Sequence, residues 1–254
     1  MRFRSSLWLY PLVALTLASC APRAPAVNPF KVPQADIKAK VKVIALAPVN
    51  LPGDIDDAEP VKAKFESLIT AKLTAAGYKV VPSSEYAAVW KQITESLGGF
   101  FDPLTGKRDD KKVKTAREHA VREVTAKTKA DAVFDAVINV VKVNFGNNRA
   151  AWHGTTEPLM TGGAWSSFFN GPYQGTVGAL SLFVALSDAN DVDMYLNAGG
   201  IQVLSKLSGR NFTPVPRHEL FANEARNQRA VDVALAPLLD QAVAPAGSSL
   251  YEEP

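Results

Sequence analysis

The chain has 254 residues, with 28 basic against 25 acidic side chains, a net charge of +3 and a hydrophobic share of 47%. That length carries a domain with a full apolar core, and a single cysteine excludes an internal disulfide or a thiolate metal cluster as its staple. Charges this closely balanced give no sign of the basic face a nucleic-acid-binding protein needs, and no nucleic-acid partner is expected.

Residues 1–19 read as an export signal. Arg2 and Arg4 are the only charges before Cys20, and an apolar run from Leu7 to Ala18 follows, interrupted by Pro11 and Thr16. The run falls short of the roughly 20 residues a membrane-spanning helix requires, and small residues end it, as in a cleaved signal. The ending Leu17-Ala18-Ser19-Cys20 resembles the lipobox of bacterial lipoproteins. The resemblance implies cleavage before Cys20, covalent diacylglycerol and an N-acyl chain on its sulfur and amine, and a membrane surface as first partner. Ala21 follows rather than Asp, which by the enteric sorting rule implies the outer membrane, with the domain in the periplasm. Loss of Arg2 and Arg4 with the signal leaves 26 basic against 25 acidic residues.

From Cys20 to Asp36 the chain holds Pro22, Pro25, Pro29 and Pro33 and reads as a tether, with a reach of roughly 50 Å. Residues 37–243 are expected to form one domain, and 244–254 a loose tail. Val41 to Val49 is apolar on both faces, the pattern of a central strand. Pro60 opens a helix whose stripe is Val61, Phe65, Leu68, Ile69, Leu73 and Ala76, and Gly77 closes it. A strand at Tyr78 to Val81 precedes a helix capped by Ser83 or Ser84, with Tyr86, Val89, Trp90, Ile93 and Leu97 turned inward and Gly98-Gly99 as its stop. After the turn Asp102-Pro103-Leu104-Thr105-Gly106, Asp109 or Asp110 caps a third helix running to Lys129.

Asp131 to Phe145 reads as a long strand, and the rest as antiparallel: strands at Ala150 to Glu157 and Thr176 to Ser187, a turn at Asp188 to Asp191, and a return through Val192 to Ala198 and Ile201 to Leu207, with a bend at Gly199-Gly200. A last helix spans His218 to Ala242, ended or kinked by Pro237.

This order is an α/β plan, a mixed β-sheet covered by helices with an antiparallel second half. The strand Val43-Ile44-Ala45-Leu46-Ala47-Pro48 is similar to the opening strand of the Tol–Pal translocation protein's N-terminal domain and of the curli-secretion pore lipoprotein. Ala75-Ala76-Gly77-Tyr78-Lys79-Val80-Val81 and Ala130-Asp131-Ala132-Val133 resemble later steps of the same domain. The likeness covers residues 41–145 and implies a TolB N-terminal-like (anticodon-binding-like) fold in an envelope setting; it carries over no catalytic residue and no cofactor.

No nucleophile-elbow or phosphate-loop motif occurs. His119, His153 and His218 are dispersed, and His153 with Glu157 does not make a zincin motif. Asp188, Asn190, Asp191 and Asp193 fail the EF-hand pattern, since Val192 stands at position 5 and Gly199 at position 12. Lys107 to Lys129 holds nine basic and four acidic residues, the composition of a solvated helix face or of a surface for lipid phosphates or an acidic partner. The densest aromatic stretch, Trp152, Trp165, Phe168, Phe169 and Tyr173 among glycines, is the candidate partner contact. The expectation is a non-enzymatic outer-membrane lipoprotein that binds or assembles with envelope proteins. The alternative is an oligomeric subunit of a secretion or export pore, with 159–169 and 176–186 as strands of membrane-spanning length.

Overall fold

The structure, a computed structural model, describes residues 28–53, 55, 58–160, 173–208 and 211–241. Cys20, the export signal, the tail and three of the five candidate aromatics (Trp165, Phe168 and Phe169) lie outside the described residues.

Among the described residues, seven strands form one mixed sheet. Strand β1 (Val43–Leu46) lies parallel between β2 (Lys79–Val81) and the first half of β3 (Ala132–Gly146). Along its other edge β3 pairs antiparallel with β6 (Gly175–Asp188) over its whole length, and β6 pairs with β7 (Asp193–Val203). Even-numbered side chains of β3 up to Ile138 point into a first core, closed by α1 (Gln34–Lys40), α2 (Ala58–Ala75) and α5 (Glu224–Leu235). Val133 points the other way, into a second core under α3 (Ser83–Ser96) and α4 (Asp110–Thr128). Burial on both faces is why the first half of this strand reads apolar save for Asp135. Beyond Ile138 the first face opens to solvent, and Val140 is 51% exposed.

The far end of β3 and β6 builds a third core from Val143, Phe145, Val177, Ala179 and Trp152. Here β3 turns into β4 (Arg149–Trp152) through Asn147-Asn148, and β4 into β5 (Thr155–Pro158) through His153-Gly154. Both residues of each turn have positive φ, the two-residue type I′ pattern that suits strand twist. The expected single strand at 150–157 is therefore a hairpin, with no Asn-Gly or Asp-Gly signal to betray it. The hairpin folds back beside β7 and the small ribbon β8 (Ser205–Ser208) with β9 (Asn211–Pro214). Thr155 Oγ1 donates to the Gly200 carbonyl at 2.8 Å, the Val203 N–H donates to Glu157 Oε2 at 2.8 Å, and the Leu207 N–H donates to the Leu159 carbonyl at 2.7 Å.

The bend expected at Gly199-Gly200 is a β-bulge, since Leu180 pairs with Gln202 and Ser181 with Gly200, leaving Ile201 as the extra residue, and the two glycines also let other elements in. A Cβ on Gly199 would lie 1.9 Å from the Ala230 carbonyl of α5, and one on Gly200 would lie 2.8 Å from Trp152 Nε1 of the hairpin on the opposite side.

Three further boundaries move. The folded part begins before residue 37: Phe30 bridges Tyr195, the Lys31 N–H donates to Met194, and the Leu196 N–H donates to Pro29. Pro29 and Pro33 thus belong to a strap along the free edge of β7, where a proline's missing N–H is tolerated. Pro82, not a serine, stands at the α3 N-cap; Ser83 donates to Glu66 Oε2 instead. The last helix starts only at Asn223, whose side chain accepts the Arg226 N–H, after a short turn at Arg217–Glu219. Its regular part stops just before Pro237.

Candidate functional site

Residues 28–31 and the β4–β5 hairpin cover the edge of β7, and the loop between α3 and α4 borders a groove on the opposite face of the sheet from α2 and α5. Gly98 and Gly99, at φ +68° and +82°, end α3 and start a tight loop to α4. Asp102 Oδ1 accepts the N–H groups of Leu104 and Thr105, both at 2.8 Å, the Asp102 N–H donates to Lys107, and the Asp109 N–H donates to Phe100. Those two backbone donors hold the Asp102 carboxyl below its ordinary range. Asp109 then caps α4 by accepting the Lys112 N–H. Asp109 was one of the two expected caps, and the helix ends at Lys129 in a left-handed conformation, as its expected boundary implies.

Between this loop, α3 and the sheet runs a groove of about 670 Å³. One wall is an aromatic row: Tyr86 stacks on Trp90 with ring centres 6.4 Å apart, and Trp90 meets Phe100 at 5.3 Å. Phe101 stands at the rim, 65% exposed. At the floor Arg117 of α4 makes a two-pronged contact with Asp135 of β3, Nη1 to Oδ1 and Nη2 to Oδ2 both at 3.0 Å, while Nε donates to Asp191 of the β6–β7 turn. Burial pushes the Asp135 carboxyl above its usual range against the pull of Arg117, and burial pushes the Tyr86 hydroxyl up beside it. All three guanidinium nitrogens are engaged, so the floor is a lock joining helix, sheet and turn. The polar turn at Asp188–Asp191 behaves as expected of a turn: Asp188 Oδ1 accepts the N–H groups of Asn190 and Val192.

The aromatic candidates divide. Trp152 is 8% exposed, and its Nε1 donates to Ser181 Oγ at 3.1 Å. It is a core residue, not a contact. Tyr173 is partly buried against the third core, its N–H donating to Asn148 Oδ1. The strand expected to be of membrane-spanning kind, 176–186, is the central β6, hydrogen-bonded on both edges. Sequence reasoning placed Trp90 only on an inner helix face; the signal for the groove was the spacing of Tyr86 and Trp90, four residues apart and so one above the other, followed by Phe100-Phe101 past the glycine stop.

Ser181 Oγ lies 2.9 Å from His153 Nδ1, a serine–histidine pair that no motif announced. Ser181 is fully buried and accepts the Trp152 N–H, so no substrate carbonyl can reach its hydroxyl. Burial holds the His153 imidazole below its ordinary value. Among the described residues no group of three or more His, Cys, Asp or Glu is placed to hold a metal ion, and no helix is long and apolar enough to cross a membrane.

No family model matches the chain, and no curated protein does. Solved structures with a partial likeness include lipoprotein GNA1162 from Neisseria meningitidis, at 16% identity over 63% of this chain and 81% of that one, with a TM-score of 0.31. They also include the PelC dodecamer from Paraburkholderia phytofirmans, at 10% identity over 79% of this chain and 89% of that one, with a TM-score of 0.34. A third is a homolog of a neuraminyllactose-binding hemagglutinin from Helicobacter pylori, at 12% identity over 83% and 88%, with a TM-score of 0.32. At TM-scores of 0.31 to 0.34 these likenesses are loose. They do not single out the Tol–Pal or curli-pore group that the strand at 43–48 resembles.

Proposed function

We propose that the chain is a lipid-anchored, non-enzymatic envelope protein whose domain works by binding other protein, through the groove between α3, α4 and the sheet. The observation that carries this reading is the aromatic wall of Tyr86, Trp90 and Phe100 beside an ion lock with no free reactive group. Such a groove offers rigid apolar area at small entropic cost and nothing that could do chemistry. The Leu17–Cys20 lipobox supports attachment to the outer membrane through Cys20, and the mature chain needs no cofactor beyond that lipid. A photo-crosslinking amino acid in place of Trp90, in living cells, tests the reading: an adduct of one defined mass is expected, and its absence from correctly exported protein overturns it.

Self-assembly into an envelope oligomer, such as a secretion or export complex, is a second reading. Val140, Leu196 and Phe212 favour it, being exposed apolar residues on three different strands, 51%, 36% and 47% accessible. It does not require strand 176–186 to enter a membrane. Light scattering of the full-length lipidated protein in mild detergent decides it, since a discrete multiple of the protomer mass supports an oligomer and a monomer removes it.

A further inference from the structure

The loop Phe100–Asp109 carries the two most exposed large apolar side chains among the described residues, Leu104 at 95% and Phe101 at 65%. An apolar tip this bare is held in place by its backbone. Asp102 Oδ1 accepts two N–H groups, the Gly106 N–H donates to the Asp102 carbonyl at 2.8 Å, and Phe101 bridges Arg108 across the loop. Gly106 sits at φ +65°, a conformation open to it for want of a Cβ. The chain therefore spends hydrogen bonds to present Leu104 to the outside.

Charge surrounds the tip unevenly. Across 101–114 the chain has Lys107, Arg108, Lys111, Lys112 and Lys114 against three aspartates. Asp102 and Asp109 turn their carboxylates to backbone N–H groups, and Asp110 pairs with Arg108 at 3.2 Å. Lys112 reaches the Leu97 carbonyl, a neutral partner that leaves its charge uncompensated.

The strap along β7 fixes where the domain can be. With residues 28–31 already docked on Tyr195 and its neighbours, seven residues separate Cys20 from the fold. At full extension they span at most about 25 Å, half the reach expected of the whole proline-rich stretch. Resting on the lipidated reading of Cys20, this puts the domain within about its own diameter of the bilayer.

We propose that the loop tip, Leu104 with Phe101, inserts into the headgroup region of an anionic lipid surface, with Lys107, Lys111 and Lys114 against the phosphates. Two side chains on a convex tip present far less than the roughly 800 Å² per partner of a stable protein interface. They suffice for a contact whose association is already made intramolecular by the anchor. The contact fixes the domain's orientation and leaves the groove beside it facing along the membrane.

The test uses the full-length lipidated protein in vesicles of three parts phosphatidylethanolamine to one part phosphatidylglycerol. Cys20 is consumed by lipid, so Leu104→Cys gives one thiol for an environment-sensitive fluorophore, and Lys91→Cys on α3 serves as the control, its side chain being 78% exposed. The expected result is at least three-fold stronger quenching at 104 than at 91 by nitroxide-bearing lipid, protection from aqueous iodide, and loss of both on replacing Lys107, Lys111 and Lys114 by Gln. A protein that floats with the vesicles while the label at 104 stays as open to iodide as that at 91 overturns the loop proposal alone. Protection from iodide without lipid quenching means that a second copy covers the tip, and overturns it too. Failure to float overturns the anchor reading together with the proposal.

Discussion

Gly199 is where the sheet and α5 approach most closely among the described glycines. It lies between the sheet and α5 so closely that a methyl group would meet the Ala230 carbonyl. Gly199→Ala is expected to cost roughly 3 kcal/mol or more, as overpacking against backbone that has nowhere to go. Gly146→Ala, at a site with no atom within 4 Å, is expected to stay within about 0.5 kcal/mol, and urea unfolding of the two compares them directly. Arg117→Met leaves Asp135 and Asp191 facing each other without their cation, and a loss of roughly 3 kcal/mol is expected. His153 sets a pH dependence. Its imidazole titrates lower folded than unfolded, so the folded protein binds fewer protons as pH falls through the unfolded value near 6.5. The stability is complete above that value and declines below it. Thermal melts between about pH 7.5 and 5.5 should show the decline, and His153→Asn, which tolerates the positive φ, should flatten it.

At the scale of elements, the strap at residues 29–31 is a strand added to a strand. The Leu196 and Lys31 amides are expected to exchange with solvent deuterium as slowly as their neighbours in the first core, and Phe30→Ala, which removes a ring 5.2 Å from Tyr195, should release both. Burial also pushes the Tyr195 hydroxyl up to about 12, consistent with its donation to the Ala234 carbonyl beneath the strap. The central strands and the helices α2, α3 and α4 were legible because each carries its own period: apolar on both faces for Val43 to Leu46, a 3.6-residue stripe for Phe65, Ile69 and Leu73. The turn at Asp188–Asp191 was legible from composition alone. The hairpin at 149–158 was not, because His153-Gly154 is a weak type I′ signal and its strands alternate only over four residues each. Trp152 looked like a surface aromatic for the same reason, since its burial depends on Gly200, 48 residues away, having no side chain. The strap was missed because prolines signal a linker locally, and only the free edge of β7 makes them part of the fold.

For the whole molecule, the helix-covered parallel strands and the long antiparallel extension share one pair of strands, β3 and β6, so a contact at one end is referred to the other. Arg117 ties α4 to both the sheet and the β6–β7 turn, while Glu157, 4% exposed by residue, ties the hairpin to Lys206 at 2.6 Å and to Arg226 of the α5 region at 2.9 Å. Such a body suits the role proposed for it, presenting a fixed groove to a protein partner. In-cell photo-crosslinking tests that claim most directly, with the photoreactive residue placed in turn at Trp90, inside the groove, and at the neighbouring Lys91, on the outer face of the same helix. A single defined adduct from position 90, identified as a second copy or another envelope protein and absent from position 91, is the result this account predicts. Equal adducts from both positions, or none from either while the protein reaches the envelope, would contradict it.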